Sequence, residues 1–323
     1  MSQHLEAQST HDDGAHDAPA SAIPVANAPC SYGAFEVTVG TYPNVPDPVT
    51  LLDAVHDALY EGIDLGPVGY LGRDGELAER LEQRGLHLAG GYLGLPFSEP
   101  EKLAEEMPAL DALLDVFDSV PAGRRKPLPT LADAGSPQRA ALPGRSALDR
   151  SVGLDATGWR HFADGVARAA ERCGERGYEP TFHHHTATYI EAHWEIERLL
   201  ELTDVGICLD TGHLLLGRGD PVTAILDWGA RINHVHLKDA RKAILEQIVA
   251  DSAPVIEIWK RRAFCPLGEG DVDLDGVLAA LGEIGYDGWL VVEQDMIPES
   301  GTPVARAADE QRRNREYLQA RGI

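Results

Sequence analysis

The chain has 323 residues, of which 43% are apolar, and carries a formal net charge of −24 at pH 7. That length suits one barrel of about 250 residues with extensions, or two ordinary domains. The strong negative charge argues against nucleic-acid binding, which needs basic patches, and no apolar run is long enough for a membrane helix. With scattered cysteines and no basic-then-apolar signal pattern at the start, these features predict a cytoplasmic protein.

Residues 1–29 are rich in Ala, Ser, His, Asp and Pro and show no hydrophobic periodicity. Such a composition buries too little apolar surface to fold, so it predicts a disordered N-terminal tail. From residue 30 to 323, strand-like and helix-like segments alternate, and we expect this part to form a single domain ending in a helix.

The alternation predicts eight strands separated mostly by helices. The predicted strands cover residues 34–39, 62–65, 86–93, 127–131, 181–185, 205–209, 232–237 and 288–293. The predicted helices cover residues 48–60, 76–84, 100–116, 158–176, 192–202, 221–228, 274–284 and 307–321. Eight repeated βα units indicate an α/β fold, a closed (β/α)8 TIM barrel. The competing doubly wound open sheet normally has a Gly-rich phosphate turn after its first strand, and residues 40–44 lack one.

Polar side chains follow three of the predicted strands, at the point where each strand ends. Asp210 and His213 follow the sixth strand, His236 lies near the end of the seventh, and Glu293 ends the eighth. The carboxyl ends of barrel strands meet at one rim, where the active sites of such barrels lie. Because a buried carboxylate is costly unless it is paired or metal-bound, we expect Asp210, His236 and Glu293 to bind a metal ion. His213 either touches the substrate or orients Asp210.

The fifth predicted strand ends in three consecutive histidines, His183, His184 and His185. Side chains alternate along a strand, so His183 and His185 share one face, and that face is the better candidate for the interior. Glu191 lies near the predicted start of the next helix, where it either joins the site or interacts with the helix dipole.

Three carboxylates and one imidazole, from Glu191, Asp210, His236 and Glu293, form an oxygen-rich ligand set. Such sets suit Mn²⁺, Mg²⁺ or Co²⁺ better than a structural zinc ion. We therefore predict one divalent metal ion, with Mn²⁺ the first choice and Co²⁺, Mg²⁺ or Zn²⁺ as alternatives. Lys238 follows the seventh strand and either holds a substrate oxygen, acts as a base if desolvation lowers its pKa, or lies on the surface.

Over about residues 30–297 the chain resembles the xylose isomerase-like (sugar phosphate isomerase/epimerase) barrel superfamily, and within it the inosose dehydratases. The resemblance depends on seven short motifs. They are residues 31–33 (SYG), 62–67 (GIDLGP), 69–71 (GYL), 183–191 (HHHTATYIE), 210–213 (DTGH), 234–239 (HVHLKD) and 288–293 (GWLVVE). The last three motifs are typical of the superfamily as a whole.

The resemblance implies one divalent metal ion, held by a set similar to Glu, Asp, His and Glu. Many relatives have the first Glu at the end of the fifth strand, where this chain has His183. Glu191 is the predicted replacement, and direct ligation by His183 or His185 is the alternative. Asp64 stands where inosose dehydratase-like chains tend to have Glu, and we expect Asp64 and His183 to contact the substrate.

The activity that the resemblance implies is a metal-dependent lyase of inositol catabolism, which dehydrates a keto-polyol such as an inosose through an enediolate. The expected base is His185 or His213, because the free pKa of histidine lies near working pH, and Lys238 is a candidate for protonating the departing hydroxyl. The alternative is a sugar (phosphate) isomerase or epimerase, which abstracts the same proton but returns it.

Two readings from other classes are weaker. An abasic-site endonuclease, to which the superfamily is also similar, conflicts with the charge of −24. A non-catalytic polyol-binding barrel conflicts with the completeness of the ligand set. We expect a small polyol or sugar as the binding partner, with no nucleic acid and no membrane, and a homodimer.

Overall fold

The computed structural model describes residues 23–73, 75–121, 123, 125–298 and 304–323, in which short strands alternate with helices. The strands are β1 (Val25–Asn27), β2 (Gly62–Ile63), β3 (His87–Leu88), β4 (Gly90–Leu95), β5 (Leu128–Asp133), β6 (Thr181–His183), β7 (Gly206–Asp210), β8 (Ile232–Leu237), β9 (Asp239–Ala240), β10 (Phe264–Cys265) and β11 (Leu290–Val292). The helices are α1 (Pro48–Asp57), α2 (Glu76–Arg84), α3 (Pro100–Ser119), α4 (Pro137–Ala141), α5 (Ala156–Glu175), α6 (His193–Leu202), α7 (Thr211–Leu216), α8 (Pro221–Trp228), α9 (Lys242–Asp251), α10 (Ile256–Lys260), α11 (Leu274–Glu283) and α12 (Val304–Gln319).

The main sheet closes on itself through one interrupted strand. Its order is β3-β2-β1-β11-β8-β7-β6-β5-β4, with every neighbouring pair parallel. β3 and β4 are separated by Ala89 alone, whose N–H donates to Ile63 (2.9 Å) and whose carbonyl accepts from Leu128 (3.1 Å). Ala89 thereby joins the two ends of the sheet, and the predicted (β/α)8 barrel of a single domain is confirmed. β9 and β10 form a separate antiparallel pair.

Packing between β6 and the helical layer settles which strand face points inward. Phe182 on β6 contacts Phe97 and Phe162, with ring centroids 5.6 to 5.8 Å apart, and all three side chains are buried. Phe162 belongs to α5, on the outside of the barrel. Because neighbouring strand residues face opposite ways, His183 points into the barrel.

The predicted first strand at residues 34–39 is wrong, because that segment forms turns. Its polar residue Thr38 donates its hydroxyl to the carbonyl of Gly33 (2.6 Å) and accepts from the N–H of Phe35 (3.0 Å), which folds the segment back on itself. The first barrel strand is β1, which pairs with β11 on one side and β2 on the other. β1 has only three residues, which is too short for a periodic pattern of apolar side chains. Its pairing with a strand on each side, rather than its own sequence pattern, makes it a strand.

The predicted tail at residues 1–29 therefore ended too late, because β1 and a 3₁₀ turn at Pro29–Tyr32 begin within it. Residues 1–22 lie outside the described residues, so disorder there stays a prediction. The predicted helices are confirmed with small shifts of their ends. Short helices in the connections after β5, β7 and β9, namely α4, α7, α9 and α10, were not predicted. None of the helices that the structure describes is long and apolar enough to cross a membrane.

Truncation tests the corrected start of the barrel. A chain starting at residue 30 lacks β1 and leaves the facing edges of β2 and β11 without their partners, so we expect it to be insoluble or to lack a cooperative thermal transition. The matched control starts at residue 23 and keeps every strand that the structure describes, so it is expected to unfold cooperatively by circular dichroism, within about 3 °C of the full chain. Cooperative unfolding of the shorter chain would contradict this.

Candidate active site

The ends of three adjacent strands bring together the side chains that the sequence singled out. Asp210, the last residue of β7, lies opposite His236 of β8 in the parallel register. Glu293 directly follows β11, and its N–H donates to the carbonyl of Leu237 (3.1 Å). This register places Asp210, His236 and Glu293 at one rim of the barrel, as predicted.

A fourth side chain, that of His183 at the end of β6, completes a compact cluster with them. One ligand atom from each of His183, Asp210, His236 and Glu293 lies within 4.8 Å of all the others. His183 Nε2 is 3.4 Å from Asp210 Oδ2, and His236 Nδ1 is 3.0 Å from Glu293 Oε2. All four side chains are buried.

The unsatisfied polar atoms of this cluster fit a cation. Within the described residues, no hydrogen bond of good geometry reaches Asp210 Oδ2 or either ring nitrogen of His236. These atoms have charged neighbours but no well-formed hydrogen bond, and buried polar atoms that lack one are rare and require an explanation. Imidazole nitrogens and carboxylate oxygens are the ligands that divalent transition metals bind, so the residues present fit the single metal ion that the sequence predicted.

Two neighbouring contacts orient the cluster. Asp210 caps α7, because its Oδ1 accepts from the backbone N–H of His213 (2.8 Å), which leaves Oδ2 to face the cluster. Asp64 Oδ2 lies 3.3 Å from His236 Nε2, and the other ring nitrogen of His236 lies 3.0 Å from Glu293 Oε2. Carboxylates commonly hold metal-binding histidines in this way. The structure therefore gives Asp64, predicted as a substrate contact, a positioning role as well, and moves His183 from substrate contact to candidate ligand.

The structure contradicts the predicted metal-binding role of Glu191, because other groups occupy both of its carboxylate oxygens. Oε1 accepts from the backbone N–H groups of Gly144 (2.8 Å) and Ala187 (2.7 Å). Oε2 accepts from Ser146 Oγ (2.9 Å) and Arg139 Nη2 (3.1 Å). Arg139 and Glu191 are each 1% exposed in this ion pair, so Glu191 ties together loops beside the cavity.

The ammonium of Lys238 contacts three carboxylates. Its ammonium is 2.9 Å from Glu293 Oε2, 3.1 Å from Asp210 Oδ2 and 3.1 Å from Asp295 Oδ2. Burial opposes the charged form, but the three carboxylates outweigh it and raise the pKa of Lys238. Burial favours the neutral form of Asp210. The charge of Lys238 and the other groups around Asp210 outweigh this effect and lower the pKa of Asp210 to about 2. The three carboxylates therefore favour the charged form of Lys238, which suits it better to hold a negative oxygen than to act as a base.

His185 and His213 lie side by side, with ring centroids 4.0 Å apart. Burial lowers the pKa of both rings, and the ammonium of Lys238 lowers it further. His185 Nδ1 contacts the carbonyl of Thr186 (2.8 Å), which fixes the tautomer that leaves Nε2 as an acceptor. Both ring nitrogens of His213 are in contact, Nδ1 with Thr186 Oγ1 (2.8 Å) and Nε2 with Lys238 Nζ (3.1 Å).

The cluster opens into a cavity of about 430 Å³, a volume within the usual range for small-molecule sites. Metal-cluster residues and His185 line part of it, and Phe35 and Trp259, with ring centroids 5.5 Å apart, line another part.

Two further cavity residues, Tyr92 and Asp133, were missed by the sequence analysis. Burial raises the pKa of Asp133 to about 6, although N–H groups of Tyr189 and Gly135 oppose the shift. Asp133 ends β5 as Asp210 ends β7. A carboxylate at the end of a strand was therefore present here too, but it was missed because the predicted strand ended at residue 131, two residues before the end of β5.

The comparisons with known proteins agree with this architecture. A family model described as "Xylose isomerase-like TIM barrel" matches residues 52–319. An inosose dehydratase of Geobacillus kaustophilus (strain HTA426) is 33% identical over 238 residues, which cover 72% of this chain and 75% of that protein. An inosose dehydratase of Lacticaseibacillus casei is 33% identical over 165 residues, which cover 50% of this chain and 54% of that protein.

Solved structures show the same fold at low identity. The zinc-bound IolI protein superposes with a TM-score of 0.68 at 13% identity, over 93% of this chain and 99% of that one. The probable 3-DHS dehydratase AsbF of Bacillus anthracis superposes with a TM-score of 0.61 at 14% identity, over 92% of this chain and 99% of that one. With the family model matching most of its length, the chain belongs to the xylose isomerase-like TIM barrel family.

Proposed function

We propose that this protein is a metal-dependent dehydratase that removes water from a keto-polyol of the inosose type. The observation that carries the proposal is the convergence of His183, Asp210, His236 and Glu293, whose ligand atoms lie within 4.8 Å of one another beside a cavity. The relative named inosose dehydratase, 33% identical over 72% of this chain, supports the reaction and substrate class.

These four residues would hold the metal ion, and a divalent ion bound there supplies a Lewis acid for a ketone oxygen. Two imidazoles and two carboxylates are a softer set than the predicted three carboxylates and one imidazole. Because imidazole suits later transition metals and carboxylate suits Mn²⁺ and Mg²⁺, we propose Mn²⁺, Co²⁺ or Zn²⁺ and expect Mg²⁺ to bind more weakly.

His185 is our choice for the base that takes the proton next to the ketone. It lines the cavity, and its contact with Thr186 leaves Nε2 free to accept a proton. Its lowered pKa keeps the ring neutral and therefore able to act as a base. His213 is the weaker candidate, because both of its nitrogens are already in contact with Thr186 and Lys238.

Lys238 and Asp133 supply the remaining groups. Lys238 lines the cavity, and its ammonium would stabilise the negative oxygen of the enediolate, as fixed charges do for developing anions. Asp133, with a pKa raised to about 6, is protonated in part of the molecules near neutral pH and would donate its proton to the departing β-hydroxyl. The abstracted proton resides on His185, the carbon–oxygen bond breaks, and the hydroxyl leaves as water.

The cellular setting stays a prediction. The four cysteines, Cys30, Cys173, Cys208 and Cys265, are all unpaired, as expected in a reducing compartment. This supports the proposed cytoplasmic location. We also keep the proposal of a homodimer and of a small polyol or sugar as the partner.

The direct test of the activity is incubation of Mn²⁺-loaded protein with scyllo-inosose. We expect an ultraviolet-absorbing enone diketone and a product lighter by one water. Metal-free protein is the control and should form product at least about 100-fold more slowly, given the several kcal/mol that a Lewis acid contributes. An epimer carrying solvent deuterium, with no water lost, would instead support the epimerase alternative, and no change in any inosose would contradict both.

Metal analysis of two variants separates the candidate ligand from the residue that the sequence predicted. His183→Ala removes a member of the cluster and should weaken Mn²⁺ binding by about 10-fold or more, comparable to losses at supporting residues of metal sites. Glu191→Gln should retain one Mn²⁺ per chain but lower the melting temperature, because it weakens the buried pair with Arg139. The reverse pattern in isothermal titration would contradict the assignment.

Kinetics of His185→Ala test the proposed base. Loss of a general base costs about 10²- to 10⁴-fold in rate, so we expect kcat to fall by that amount while Mn²⁺ stoichiometry is kept. His56→Ala, on the exposed face of α1, is the matched control and should retain wild-type kcat. A fall in kcat of less than about tenfold for His185→Ala would contradict the base assignment.

A further inference from the structure

A second cluster of metal-binding groups lies beside the first. One ligand atom from each of His185, His213 and Asp295 lies within 4.8 Å of the other two. All three belong to the rim that carries the proposed metal centre, and none belongs to its ligand set. Asp295 comes two residues after Glu293, so both carboxylates come from the same segment after β11.

Thr186 contacts both histidines of this cluster. His185 Nδ1 contacts the carbonyl of Thr186 at 2.8 Å, and His213 Nδ1 contacts the hydroxyl of the same residue at 2.8 Å. Metal-binding histidines almost always donate their other ring N–H to an oxygen, which fixes the tautomer and the ring orientation. Thr186 thus holds both rings: its carbonyl fixes the His185 tautomer that leaves Nε2 as an acceptor, and its N–H lies 3.3 Å from His213 Nδ1.

The ammonium of Lys238 contacts two members of this cluster, His213 and Asp295. Lys238 Nζ is 3.1 Å from His213 Nε2 and 3.1 Å from Asp295 Oδ2. The same nitrogen lies 2.9 Å from Glu293 and 3.1 Å from Asp210, two members of the proposed metal set. It therefore shares two carboxylates with the first site, as the second metal of a two-metal site does.

We propose that Lys238 is a built-in second cation, which occupies a latent divalent-metal site formed by His185, His213 and Asp295. The inference rests on the metal centre of the proposed function but not on the reaction. Its consequence is that the wild-type protein binds one metal ion per chain and uses a fixed ammonium where a two-metal enzyme has its second ion.

Substitution of Lys238 by an uncharged residue of similar shape tests whether a metal ion can take the place of its ammonium. Without Lys238, the carboxylates of Asp210, Glu293 and Asp295 lose their shared counter-charge, and buried carboxylates demand one. The stem of Lys238 is packed, since a Cβ on Gly212 would lie 2.8 Å from its Cγ and the ammonium lies 4.8 Å from the ring centroid of Phe264. Lys238→Met keeps an unbranched stem and removes the charge, and Lys238→Gln is the second variant.

The experiment counts Mn²⁺ bound to the full-length chain by inductively coupled plasma mass spectrometry, with electron paramagnetic resonance as a second readout. We expect one equivalent in wild type and two in Lys238→Met and Lys238→Gln, both produced with Mn²⁺ in the medium. Two ions about 3.5–4 Å apart share ligands, so the variants should show a spin-coupled signal in place of the isolated Mn²⁺ spectrum.

The control and the contrary outcomes keep the inference distinct from the proposed function. The double variant Lys238→Met with Asp295→Asn should return to one equivalent, because it removes a ligand of the latent site. Two equivalents in wild type, or one in both Lys238 variants, would overturn the inference and leave the first metal centre intact. Absence of bound metal in wild type would overturn the proposed metal centre itself and the inference with it.

Discussion

Buried negative charge at the rim of the barrel is the constraint on which the rest of the site depends. Asp64, Asp210, Glu293 and Asp295 are all at most 8% exposed, and each carboxylate loses several kcal/mol of hydration on burial. Lys238 places one positive charge beside three of them, and imidazole nitrogens lie 3.0 to 3.9 Å from the four carboxylates. A divalent cation bound by the cluster would supply the remaining compensation. Without the cation, burying these four carboxylates lowers the free energy of unfolding. Metal binding is therefore linked to the stability of the fold.

Local structure delivers these groups with little freedom. The parallel register places Asp210 opposite His236, and the cap on α7 assigns one oxygen of Asp210 to the helix and the other to the cluster. Asp64 orients His236 from the far side. Because Asp210 and His236 each have a second contact on the side away from the cluster, this part of the cluster is preorganised for a cation, as functional sites held by rigid elements require.

Much of this arrangement could be predicted from the sequence, because strand ends are readable. Short apolar runs that end in Asp210, His236 and Glu293 predict both the barrel topology and the position of the site. In such barrels the carboxyl ends of all the parallel strands meet at the rim that holds the active site. Errors occurred where the deciding contact is distant in the chain. Glu191 looks like a ligand until Arg139, 52 positions away, is seen to bind it. β1 is three residues long and is specified by its two neighbours rather than by its own pattern.

Anomalous diffraction from crystals of the Mn²⁺-loaded protein tests the central claim most directly. The account predicts one peak per chain at the rim, about 2.0–2.2 Å from ligand atoms of His183, Asp210, His236 and Glu293, with the ammonium of Lys238 beside it and Glu191 still bound to Arg139. A peak that is coordinated by Glu191, or one that lies away from these four side chains, would contradict it.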